Sequence, residues 1–205
     1  MTATPEYYAE VAEAFLDTES LTVLFVAGAS VGDVAAALDV DLDTAKNLDD
    51  VLGDMQVTAW ALLDVPEGVI AVEPTGFGDP TRAALVELSR SARASAVVRN
   101  NVLAHLRFGC ARDGELLFDD NEFMYVPDPA EAPEELRPLV ELVWQRIGDE
   151  DEEPGDEEEG PDGFPVALAM AETATGIALT AENVVAIQSA SYHPAPTLRY
   201  AREAT

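Results

Sequence analysis

Basic charge, cysteine and histidine are all scarce in this chain. Its 205 residues hold one cysteine, Cys110, and two histidines, His105 and His193. A lone cysteine excludes an intrachain disulfide framework, and a reducing cytoplasm suits it. The histidines stand at no metal-ligand spacing with each other or with Cys110, which argues against a structural zinc site. Only 11 basic residues, Lys46 the sole lysine among them, face 40 acidic ones, a net charge of −29. That balance excludes non-specific nucleic-acid binding and docking on anionic lipid, because both need basic surfaces. The longest apolar run, Leu21 to Ala29, is broken by Thr22 and Gly28. It falls far short of the roughly 20 residues of a membrane helix. The first residues, Met1-Thr-Ala-Thr-Pro5, have neither the basic start nor the apolar stretch of a secretory signal. The expectation is a cytoplasmic protein without nucleic-acid or membrane partners.

Hydrophobic residues make up 48% of the chain, enough for a sizeable core and too many for a wholly disordered acidic protein. The length suits one domain, or one domain with a small appendage. The segment Gly148–Gly163 carries ten acids and no base, and reads as a disordered loop. The chain divides accordingly into a main body over 1–147, the loop over 148–163, a C-terminal helix pair over 164–190 packing on the same domain, and a tail over 191–205. Against the acidic background, Pro80–Arg112 holds six arginines and only Glu87, a local +5. Either these arginines pair with carboxylates elsewhere in the fold, or they form a basic face. The second reading makes the surface dipolar.

Periodicity outlines the elements. Pro5 to Asp17 reads as a helix with Tyr8, Val11 and Phe15 inward. Leu21–Ala27 is apolar on both faces and reads as a central strand. Ser30 and Asp33 cap a helix to Leu38, and a second helix spans Asp43 to Leu52. Val57–Val65 and Val69–Glu73 form a hairpin. Asp79 caps a helix with Pro80 at its first position. Ala94–Asn100, Val102–Arg112 and Glu115–Asp119 are strands, the last two joined by Asp113-Gly114, a strong hairpin turn signal. Pro133 opens a helix to Ile147; two more follow over Phe164–Thr175 and Thr180–Ser189, and the tail from Tyr192 is irregular. The fold class is α+β, a largely antiparallel sheet of about five to six strands covered by helices.

Several motifs suggest chemistry and are outweighed. Ser30–Leu52 has the outline of a helix-turn-helix, but Asp41, Asp43, Asp49 and Asp50 against Lys46 would repel phosphate, so it reads as a helix pair covering the sheet. Gly76-Phe77-Gly78 is followed by Thr81 where a dinucleotide fingerprint needs its third glycine. Cys110 lies on the apolar face of its strand, and His105, five residues away, falls on the other, which disfavours nucleophilic catalysis by the pair. The acids Asp113, Glu115, Asp119, Asp120 and Glu122 do not match a calcium loop and read as a solvated edge.

Three stretches taken together carry a resemblance: Leu21–Gly28 with its capped helix, Val69-Ile-Ala-Val-Glu73-Pro74-Thr-Gly76-Phe77, and Ala167–Thr180 with Glu172, Gly176 and Thr180. In this order they resemble an uncharacterised actinobacterial domain family, with a V-x-E-P-x-G turn mid-chain and a closing A-E-x-x-T-G-x-x-L-T helix pair. The resemblance spans most of Leu21–Val184. It implies no activity and no cofactor. The residues that would line a shared cleft are Glu73, Gly76, Arg99 and Asn100.

Three functions compete. The first is a non-enzymatic binding module, immunity-type or regulatory, whose acidic face steers a basic protein. The second is a small-molecule-binding protein or enzyme using the cleft near Glu73 and Arg99, for which no nucleophile, base and orienter stand at useful spacing. The third makes the charge an adaptation to salt.

Overall fold

Leu21–Ala27 is buried at every position, and as β1 it is the centre of the sheet. The computed structural model describes residues 4–53, 58–92, 94–101, 105–123, 128–148 and 162–196. β1 pairs on one side with β3 (Gly68–Glu73) and on the other with β4 (Ala94–Asn100). Beyond β3 lie β2 (Thr58–Val65) and β7 (His193–Ala195); beyond β4 lie β5 (Leu106–Arg112) and β6 (Glu115–Asp120). The order is β6-β5-β4-β1-β3-β2-β7, and every pairing is antiparallel. The α+β class is therefore correct, with one strand more than the sequence suggested.

Tight turns close the β2–β3 and β5–β6 hairpins. Val65 pairs with Gly68 across Pro66-Glu67. A Cβ on Gly68 would stand 2.2 Å from the Val26 carbonyl oxygen, so only glycine lets β3 close against β1. Asp113 and Gly114 both take positive φ, 51° and 82°, as a two-residue turn between right-twisted strands requires.

Both faces of the sheet are covered, which explains why β1 and β3 lack a polar face. Val23 and Phe25 join one core, together with Phe108, Cys110 and residues of α1 (Pro5–Ala12), α5 (Arg137–Gly148), α6 (Gly163–Thr175) and α7 (Ala181–Gln188). Leu24 and Val26 join the other, with residues of α2 (Val31–Leu38) and α4 (Arg82–Ala92). α6 is buried over most of its circumference, because it lies between the sheet and α1 and α5. No helix among the described residues is long and apolar enough to cross a membrane.

Several boundaries differ from expectation. α1 stops at Ala12, not Asp17. The helix expected over Asp43–Leu52 is only α3 (Leu48–Gly53). Asp41 accepts from the Asp43 amide at 3.0 Å and the Thr44 hydroxyl at 2.7 Å, and Lys46 pairs by backbone with Tyr192. These bonds compete with helix formation. Val34 of α2 and Val51 of α3 belong to opposite cores, so the two helices do not form a pair on one face of the sheet. The tail also departs from the expected irregularity, since His193–Ala195 adds β7 to the sheet edge. The body of the acidic segment, 149–161, lies outside the described residues, as do 197–205.

Candidate functional site

Strand register gathers the site. Thr22 on β1 is paired with Glu73 of β3 on one side and Arg99 of β4 on the other, and Arg99 is paired in turn with Arg107 of β5. Directly paired residues share a face. Three ionisable residues therefore stand in a row at one end of the sheet, on the α2–α4 side. The connection from β3 to α4, Pro74–Thr81, runs along this row.

Glu73 is fully buried. One carboxylate oxygen accepts from the Thr75 amide at 3.0 Å and from the Thr75 hydroxyl; the other accepts from the Gly78 amide at 2.9 Å. Burial pushes the carboxyl above its ordinary value, with these donors opposing. Gly76 follows at φ +65°, and a Cβ there would stand 2.5 Å from the Asn100 carbonyl oxygen. Its own carbonyl accepts from Arg99 Nε at 2.8 Å. A Cβ on Gly78 would meet Trp60 at 2.7 Å and Glu73 Cγ at 2.8 Å. The G-x-G thus serves close approach of a loop to a sheet end. Asn100 donates to the Thr18 carbonyl at 2.9 Å and ties down the chain entering β1.

Asp79 does not cap α4. Thr81 does, accepting from the Ala84 amide at 3.1 Å. Asp79 instead reaches across the row, with one oxygen toward Arg107 Nη1 and the other 3.6 Å from Arg99 Nη1. Arg107 also donates to the Pro80 carbonyl at 2.6 Å and to Asp119 at 2.8 Å, and Asp119 receives Arg82 at 2.5 Å. Burial alone would lower the Arg107 value, but Asp79 and Asp119 outweigh it and raise it. Burial draws Arg99 down, with Asp79 opposing.

The four residues expected around a cleft, Glu73, Gly76, Arg99 and Asn100, are brought together by this loop. Their polar atoms are directed at the chain's own backbone and at Asp79. Sequence reasoning missed Asp79, Asp119 and the inward role of Arg107. Asp119, expected on a solvated edge, is side-chain buried in ion pairs. The basic face gives way as well. Arg82, Arg90, Arg99, Arg107 and Arg112 all meet carboxylates, while Arg93 lies outside the described residues.

Cys110 is buried, which pushes its thiol up to about 12 and keeps it protonated. His193 Nδ1 lies 2.7 Å from the Thr44 carbonyl oxygen. An open groove of about 580 Å³ is lined by Arg82, Asp119, Asp120, Asp128 and Glu131. No group of three or more His, Cys, Asp or Glu among the described residues could hold a metal ion. The closing motif works by anchoring. Glu172 accepts from the buried Tyr8 hydroxyl at 2.8 Å, Gly176 ends α6 in the left-handed region, and Thr180 caps α7.

A family model described as a family of unknown function (DUF6461) matches residues 9–197. No curated protein and no solved structure matches the chain.

Proposed function

We propose, for a chain that belongs to this family of unknown function, that it is a non-enzymatic binding module whose acidic surface engages a basic protein. One observation carries the reading: Arg82, Arg90, Arg99, Arg107 and Arg112 are taken up by the chain's own carboxylates. Of the exposed bases Arg82, Arg90 and Arg137, the first two already meet Asp119 and Glu87. Exposed acids lie on α1, α2, α3, α4 and the β5–β6 hairpin. Such a surface raises the encounter rate with a cationic partner and repels anionic ones.

The alternative cleft has less support, because Glu73 is satisfied by Thr75 and Gly78 and Arg99 by Gly76 and Asp79. The protonated, buried Cys110 offers no nucleophile. A reducing cytoplasm suits this single inert thiol.

Capture on the immobilised full chain at low ionic strength tests the proposal. The expected result is a basic protein released as salt approaches molar, where screening shortens electrostatic reach to about 3 Å. A partner held equally well at low and high salt would overturn it.

A further inference from the structure

Leucine is exposed where the chain just beyond α1 shares a cleft with α3 and the end of α7. Phe15 and Leu16 lie just beyond α1, Leu48 and Leu52 are one turn apart on α3, and Ile187 stands near the end of α7. With Tyr192 they line an apolar cleft of about 40 Å³. Leu16 is 74% exposed and Leu52 43%. A buried leucine side chain contributes substantially to stability, so leaving two in water beside a concavity leaves binding capacity unused.

The charge around the cleft has one dominant sign. Asp17 lines it. Asp49 and Asp50, both exposed, sit in the first turn of α3 between Leu48 and Leu52. The nearby cation, Lys46, is half-buried, with its backbone paired to Tyr192.

We propose that this cleft receives an aliphatic side chain carried on a basic segment of a partner protein, whose cations meet Asp17, Asp49 and Asp50. The inference rests on the binding reading above and gives it a location. A second copy of the chain is the poorer occupant, because two acidic rims would face each other. An anionic lipid surface meets the same repulsion.

The test uses the full chain and two synthetic peptides of equal charge. One carries arginines with interspersed leucines; in its twin, serines replace the leucines. At low salt the leucine peptide is expected to bind about tenfold more tightly than its twin. In a Leu16→Ser, Leu52→Ser variant that advantage disappears, while binding of the serine twin is unchanged. Both substitutions fall on exposed positions, and circular dichroism checks the fold. Equal affinity of the two peptides for the unaltered chain overturns the cleft and leaves the acidic-surface reading standing. Failure of both peptides to bind at low salt overturns that reading too. A dimer of the unaltered chain in sedimentation, dissociated by Leu16→Ser, makes the occupant a second copy and likewise overturns the proposal.

Discussion

Asp79 accepts a hydrogen bond from Arg107, so a carboxylate of the β3–α4 connection meets a guanidinium rising from β5 beneath it. Both side chains are buried, and Asp119 holds the same guanidinium from β6. Removing one member of such a set leaves charge buried without compensation. Arg107→Met is therefore expected to lose about 3–5 kcal/mol of stability, read from the urea midpoint. Arg107→Lys should recover only part, since an ammonium cannot reach Asp79, Asp119 and the Pro80 carbonyl with a fixed fork. A variant as stable as the parent would show that the network contributes nothing net.

The same row contains a buried hydroxyl. Thr22 is fully buried between Glu73 and Arg99 in register, and its hydroxyl finds no partner among the described residues. Valine has nearly the same shape without the desolvation cost of the hydroxyl. Thr22→Val should stabilise the protein by about 1 kcal/mol. For a chain of this size that is a rise of roughly 2–4 °C in Tm. A fall in Tm would mean that the hydroxyl has a partner after all, such as an ordered water.

What the sequence showed and what it hid divide by range. β1, the β2–β3 hairpin and the Asp113-Gly114 turn rest on local pattern and were legible. α3 was overextended because Asp41 and Tyr192 take hydrogen bonds that periodicity does not register. β7 is three residues long and exists only through pairing with β2, more than a hundred residues earlier. Glu73, Gly76, Arg99 and Asn100 were named together from the resemblance, but the register that joins them across β1, with Thr22 between Glu73 and Arg99, could not be seen. Asp79 before Pro80 imitated a helix cap, and only the register of β5 shows its real partner.

Two glycines in the left-handed region separate strain from crowding. Gly176 at φ +75° has open space where a Cβ would go, whereas the Cβ at Gly76 would meet a backbone oxygen at 2.5 Å. Gly176→Ala should cost only the conformational strain, about 1–2 kcal/mol. Gly76→Ala adds displacement of the loop from Asn100 and Arg99 and should cost more. Paired denaturation curves decide it, and equal losses would mean that the loop gives way freely.

Glu73 makes stability depend on pH in a direction that can be worked out. Burial holds its carboxyl above the ordinary 4.5 in the folded chain. The folded state then binds more protons than the unfolded one in the window between 4.5 and that raised value. The contribution from this group is complete below the window and is lost as pH rises through it. Glu73→Gln removes the titration while keeping the size of the side chain. As pH falls from neutrality to 4.5, the unaltered protein should gain stability relative to the variant. The comparison cancels the titration of the surface acids, which both proteins share. A difference that stays flat, or that moves toward the variant on acidification, would show that the Thr75 and Gly78 donors outweigh burial and hold the carboxylate charged.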